Sequence, residues 1–347
     1  METLLLLTHT DPDGTLGKPQ LEALHAARQL AVALGNAAWH VGLVGETTEV
    51  AARQIGGCGA ARFLAVQGAD FAQPRYATDA AAAEALGRAV SATIVLAAGT
   101  SRWSRVLPGV AQRMGGRADT HVSGLSAAGK TVEIARWYYR QRMEARLQRA
   151  HRPWMLLLDP GAHPAWTGEP APARVETVAV PVADAHRRTR VTGVRAPEAD
   201  AQTIRPDADL LFVAGAGWTK KQADGQTHVQ EAERLIGGFL SRTRASLGSS
   251  KSLVDLGGEG QAVLSFLTHL NQIGQTGATP RHRKGLAACC HGEEPHTVGW
   301  RFIEERRAIN LDPNCGWARG KADVLYVADA FAVMARLNEL LREPAYG

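Results

Sequence analysis

Apolar residues in the first half of the chain come in short unbroken runs rather than in alternation. Runs at 3–8, 39–44, 62–66 and 92–98 are separated by stretches at 21–34, 50–55 and 78–90, where apolar positions recur at helical spacing. Continuous apolar strands interleaved with amphipathic helices predict strands buried on both faces, hence a parallel-sheet α/β sandwich. Further strand-like runs stand at 154–158 and 175–182. Pro, Ala, Glu and Asp become frequent at 167–174 and again at 195–209, "RAPEADAQTIRPDAD", and the second stretch is the better domain boundary. A new set then begins, with strands expected at 210–214, 286–290, 307–310 and 324–328 and helices at 229–242 and 330–341. The pattern predicts an α/β protein of two parallel-sheet domains, 1–196 and 207–347, the second closed by a terminal helix.

Composition narrows the class without changing it. A chain of 347 residues that is 45% apolar and 21% charged can bury two cores and lacks the signature of disorder. The net charge of +5 comes from scattered Lys and Arg, which reads as an ordinary basic surface rather than a nucleic-acid face. Cys58, Cys289, Cys290 and Cys315 form no CxxC pair, and the adjacent pair lies in the apolar run "GLAACCH". Buried thiols of a reduced compartment follow, and with them a cytoplasmic location. The start, "METLLLLTHTDPDG", is too short for a membrane span or signal peptide and reads as a buried first strand, so no membrane insertion is expected.

Two motifs invite a function and fit poorly. The segment from Gly124 to Thr131, "GLSAAGKT", satisfies the phosphate-loop pattern GxxxxGK[ST], and "WMLLLD" could end in a magnesium-binding Asp159. That loop works only between a buried strand and a helix, yet "GRADTHVSG" before it is polar; a surface loop is the simpler reading, with an NTPase using Lys130 as the rival. His282, Cys289, Cys290, His291 and His296 are dense enough to suggest a metal. Adjacent cysteines on a strand point to opposite faces, however, and make poor co-ligands.

Polar glycine turns are the third signal. "VAGAG" (213–217) ends a strand, while "GSSK" (248–251) and "QIGQTG" (272–277) add hydroxyls, amides and one cation. Such turns suit the phosphates of a nucleotide, or serve as plain caps and turns. Here the residues also carry a resemblance. "VAGAG", "GSSKSLVDLG" (248–257), "QIGQTGA" (272–278), "CHGEEPH" (290–296), "AINLDP" (308–313) and "KADVLYVAD" (321–329) stand in the order of SGGRG, GASRAAVDAG, QVGQTGK, ISGAIQH, AINKDP and VADYG. Those are the segments of the electron transfer flavoprotein α-subunit family. "LEALHAARQL", "LPGVAQRMGG" and "LLLDPGAHPA" in the first domain resemble family segments too.

The resemblance implies FAD bound by the second domain, in a heterodimer with an electron transfer flavoprotein β-subunit, the first domain serving subunit contact. Ser250, Gln272 and Gln275 would hold the pyrophosphate and ribityl region. Thr276 would bond the ring edge near N5, His296 would donate toward the C2 carbonyl, and Asn310 and Asp329 would hold the adenosine end. Lys251, Gly274, Gly277, His291 and Gly292 complete the implied set. A donor near N1 and C2 stabilises the negative charge of a reduced flavin and favours one-electron steps. The implied role is a carrier rather than an enzyme: it would take electrons from a flavin dehydrogenase, one acting on methylated amines for example, and pass them to a quinone oxidoreductase. The chain also departs from the pattern. Ala216 replaces the arginine of GRG, Lys251 replaces the second arginine, His291 replaces the serine before GAIQH, and Ala278 the lysine after QTG. Lysine keeps a charge but loses the planar fork, which leaves a non-flavin scaffold of the same fold as a further alternative.

Overall fold

The computed structural model describes residues 2–138, 143–192, 204–205, 208–255, 262–273, 279, 282–288, 303–315 and 322–342. The chain divides into two compact units, Met1–Val194 and Arg195–Gly347.

The first unit runs β1 (Thr3–His9), α1 (Lys18–Ala33), β2 (Ala38–Gly45), α2 (Glu49–Gln54), β3 (Arg62–Gln67), α3 (Tyr76–Ala89), β4 (Ile94–Ala98) and α4 (Ser101–Arg113). It continues with β5 (Arg117–Ala128), β6 (Thr131–Tyr138), β7 (Met143–Gln148), β8 (Trp154–Leu158) and β9 (Val175–Thr177). All join one sheet in the order β7-β6-β5-β8-β4-β1-β2-β3-β9. Alternate residues of β1 feed the two faces: Leu4 and Leu6 pack with α1, Leu5 and Leu7 with α3 and α4. This is the double burial that unbroken apolar runs demand.

Three features depart from the sequence-based expectation. Helix α4 forms although Pro108 and Gly109 interrupt its pattern, because Trp103, Val106, Leu107, Val110 and Ala111 bury one face and Thr100 caps its start. The strand expected at 175–182 is ladder-bonded only over Val175–Thr177; beyond it Val178, Val180 and Val182 pack against the core as an irregular strap.

The third departure is a correction. Gly124–Thr131 is neither a loop nor a strand-to-helix turn: β5 and β6 pair antiparallel as a hairpin whose turn is Gly129–Lys130, with Gly129 at φ +60°. No helix starts there to face a phosphate, and Asp159 instead accepts from, or pairs with, His121 Nδ1 at 3.2 Å. The phosphate-loop alternative using Lys130 therefore lacks its geometry. Buried Asp119 holds the hairpin to the sheet, since its carboxylate takes Arg136 Nη1 at 2.7 Å, Arg149 Nε at 2.5 Å and Trp154 Nε1 at 2.8 Å. A polar segment thus joins the sheet because side chains of three residues converge on one buried carboxylate, which no local pattern shows.

The second unit runs β10 (Leu210–Ala214), α5 (Val229–Thr243), β11 (Ser246–Ser249), α6 (Lys251–Asp255), β12 (His282–Ala288), β13 (Ile303–Asn310), β14 (Val324–Val327) and α7 (Ala330–Leu340). Its five strands are all parallel, in the order β11-β10-β12-β13-β14. On one face Phe212, Leu247 and Ile309 pack with Leu235, Ile236 and Phe239 of α5 and Met334 of α7; on the other, Leu211, Val213, Ala287 and Ala308 pack with Ile273 and Cys315. β11 is too short, and too rich in Ser and Gly, to be read from hydrophobicity.

Burial pushes Asp119 up, but the bonds from Arg149, Trp154 and Arg136 outweigh it and hold the carboxyl below the usual aspartate value. A depressed folded value means that this stability is complete above an unfolded aspartate's pKa of about 3.9 and drains as pH falls through the folded value. Urea midpoints at about pH 7 and about pH 3 should therefore separate, and Asp119→Asn should narrow the separation. Lys130→Ala, at an exposed turn, should change stability by less than about 0.5 kcal/mol and leave ATP hydrolysis at background. Hydrolysis abolished by that change would restore the phosphate-loop reading.

Candidate functional site

In the second unit the strand order is that of a doubly wound sheet read 2-1-3-4-5, so the direction of winding reverses between β10 and β12. Ligands of such sheets lie outside the carboxyl ends of the strands at that reversal. The ends here are stitched in sequence by backbone bonds: Ile273 N to Ser249 O (3.2 Å), Ser250 N to Ala214 O (2.9 Å), Gly215 N to Ala288 O (3.1 Å) and Ala328 N to Asn310 O (3.2 Å). Gln272 continues the edge as an isolated parallel bridge to Ser249. Gly248 permits this approach, because a Cβ there would meet Ile273 Cγ2 at 2.6 Å.

Three buried polar atoms at this edge have no hydrogen-bond partner among the described residues: Ser249 Oγ, Gln272 Oε1 and Asn310 Nδ2. Their residues are 0%, 8% and 0% exposed. Leaving such an atom unpaired costs about 1–3 kcal/mol, so three at one edge mark a place built for something polar. β11 and β13 stand three strand spacings apart, about 14 Å at the usual ~4.8 Å. One short group cannot meet both ends.

The other implied residues divide between local and open roles. Ser250 Oγ accepts from Leu253 N at 3.2 Å and caps α6, and Asp329 Oδ1 accepts from Ala332 N at 2.8 Å and caps α7. Lys251 is half-exposed and reaches Asp255 at 3.8 Å; Asp255 also faces His269 Nδ1 at 3.9 Å. Asn310 Oδ1 accepts from Asp312 N at 2.8 Å, which turns its amide nitrogen free. The structure thus brings Ser250, Lys251, Gln272, Asn310 and Asp329 to one edge of one sheet. Gly274, Gln275, Thr276, Gly277, His291, Gly292 and His296 lie outside the described residues. Sequence reading missed Ser249: in "GSSK" the two serines look alike, and only the end of β11 makes one a cap and leaves the other orphaned.

The turn after β10 is not the open glycine loop expected of "VAGAG". Ala216–Thr219 is a 3-10 turn whose Trp218 is fully buried, its Nε1 donating to Ala288 O at 2.9 Å and its ring against Phe331 at 4.7 Å. Ala216 is buried as well, so no arginine could stand there without displacing the indole's surroundings.

The first unit has its own strand-order reversal, at β1 and β4. There His9 Nε2 lies 3.3 Å from Thr100 Oγ1, and burial followed by the charge of Arg102 pushes His9 down to about 4, so it is neutral. Thr8 Oγ1 and Trp103 Nε1 lack partners nearby, but Asp11 and Asp13 occupy the β1–α1 loop and oppose an anion at that helix start. Among the described residues no group of three or more His, Cys, Asp or Glu could hold a metal, and no helix is long and apolar enough to cross a membrane.

Comparison with known proteins places the fold in a lineage. The electron transfer flavoprotein domain matches residues 4–186. The electron transfer flavoprotein subunit alpha of Clostridium acetobutylicum is 26% identical over 196 residues, 56% of this chain and 51% of that protein. The match spans about half the length of the curated relative. The domain match falls within the first unit, while the orphaned atoms lie in the second, so the two observations are independent. The helix-covered parallel sheet and the match over more than half of the chain together establish that the protein belongs to the electron transfer flavoprotein family, as a divergent α-subunit-like member.

Proposed function

We propose that the second unit binds FAD along the carboxyl edge of its sheet and that the protein carries electrons as the α-like half of a heterodimer with an electron transfer flavoprotein β-subunit. The observation that carries the reading is the set of three orphaned buried atoms, Ser249 Oγ, Gln272 Oε1 and Asn310 Nδ2, spread over about 14 Å of sheet edge. A single ribose-phosphate would answer one of them; an adenosine half and a ribityl-flavin half joined by a pyrophosphate would answer all. Their chemistry fits: a hydroxyl and an amide nitrogen can donate to phosphate or ring acceptors, and an amide oxygen accepts from ribityl or ribose hydroxyls.

Bound FAD supplies one-electron and two-electron chemistry that no side chain of this chain offers. The chain's own residues bind and orient. Ser249 would donate toward the pyrophosphate from the β11 end and Gln272 Oε1 would accept from a ribityl hydroxyl; Ser250 and Gln275 would serve the same region, and Thr276 the ring edge near N5. Asn310 and Asp329 would meet the adenosine side, and His296 the C2 carbonyl. Lys251 places one cation near the pyrophosphate and ring, without the fork of an arginine. The proposed donor is a flavin dehydrogenase, one acting on methylated amines for example, and the acceptor a quinone oxidoreductase or another electron acceptor. A reducing cytoplasm would keep the buried thiols Cys58 and Cys315 out of disulfides, as they stand here.

The test is co-expression with an electron transfer flavoprotein β-subunit and a visible spectrum. A flavin spectrum, released as FAD on denaturation, is expected; a colourless heterodimer that fails to take up added FAD would reduce the protein to a scaffold of the same fold. Ser249→Ala should leave the FAD-free chain as stable or slightly more stable, since it removes an orphan, while weakening FAD about tenfold, the equivalent of ~1.4 kcal/mol. Lys251→Arg should tighten FAD and shift the midpoint potential; unchanged affinity and potential together would remove that position from the ring.

A further inference from the structure

Trp218 stands at the point where the sheet's winding reverses. β10 ends at Ala214, and the following turn folds back so that the Trp218 indole donates to Ala288 O, the last carbonyl of β12, at 2.9 Å. That carbonyl already accepts from Gly215 N at 3.1 Å, so both of its lone pairs are engaged and the ends of β10 and β12 are locked at one height. The ring packs on Phe331 with centroids 4.7 Å apart and planes at 60°. Phe331 is the second residue of α7, whose cap is Asp329, and its far side meets His228 at 6.1 Å ahead of α5. One indole therefore ties together the middle of the sheet edge and the start of the terminal helix, and it is fully buried beneath both.

We propose that Trp218 is a positioning residue for the dinucleotide: it fills the crevice between β10 and β12 and thereby forces the ligand to lie across the strand ends rather than between them. This rests on the FAD reading above. An open glycine loop at this place would let phosphate sink toward the sheet, onto the amides of the turn. Here Gly215 N is spent on Ala288 O and Trp218 N on Gly215 O, and the fully buried indole packs at that turn. The ligand's polar contacts must then come from either side, from Ser249 and Gln272 at one end and Asn310 and Asp329 at the other, where the orphaned atoms are found. By holding Phe331, the same ring sets the register of Asp329 toward the edge. Tryptophan suits this role because the indole joins a large apolar body to one donor, and only its donor reaches β12.

The experiment uses the full chain with its β-subunit. Trp218→Phe keeps an aromatic body and deletes the donor; Phe331→Leu keeps the donor and loosens the ring's seat. Both should weaken FAD at least tenfold, by reconstitution of the FAD-depleted heterodimer with free FAD, and shift the flavin's visible band. Phe239→Leu, in the same hydrophobic core but packed on Phe212 at 5.6 Å, is the control: it should lower the melting temperature without altering FAD affinity or spectrum. If Trp218→Phe misfolds, Phe331→Leu decides the matter alone. Wild-type affinity and spectrum in a folded Trp218→Phe or Phe331→Leu protein would overturn the proposal while leaving the FAD reading intact. A wild-type heterodimer that binds no FAD would overturn both.

Discussion

A parallel sheet covered on both faces can express polar chemistry only at the ends of its strands, and everything proposed for this protein depends on that constraint. Along β10, β12 and β13 the side chains alternate between two apolar cores. At the carboxyl ends the ladder stops, backbone groups need new partners, and polar residues appear. Ser249, Gln272 and Asn310 sit at this boundary, buried as deeply as the core yet carrying atoms that the core cannot satisfy. The cost of holding them there, about 1–3 kcal/mol each, is what a bound ligand would return.

The two units solve the same problem differently. In the first, two buried carboxylates are closed by ion pairs: Asp119 receives Arg136, Arg149 and Trp154, and buried Asp79 takes Arg102 through two bonds of 2.9 and 2.6 Å. Those networks close a hairpin and a helix pair onto the sheet. The second unit leaves polar atoms open and closes its centre with an apolar plug, Trp218 on Phe331.

Substitution of Ala216 and Lys251 where the family pattern has arginine takes on physical meaning in this setting. Ala216 is buried beside the indole, so the missing cation is coupled to the plug and is not a simple loss. Lys251 is exposed and shares Asp255 with His269, which spreads its charge over a solvated group rather than a planar fork.

Hydrophobic run and period, read from the sequence, determined the α/β class, β1 to β4, β8, β10, and helices α1, α3, α5 and α7, because strands buried on both faces and helices buried on one leave a local pattern. The order of the glycine and Asn-Asp-Pro segments also named the family. The sequence could not decide what depends on contacts far apart in the chain. Asp119 draws donors from 17, 30 and 35 residues away and holds a largely polar hairpin to the sheet. Burial of Trp103 and its neighbours carries α4 through Pro108. In "GSSK" two identical side chains part ways, Ser250 capping a helix and Ser249 orphaned at a strand end, because where a hydroxyl's partner lies is set by packing and not by its neighbours in sequence.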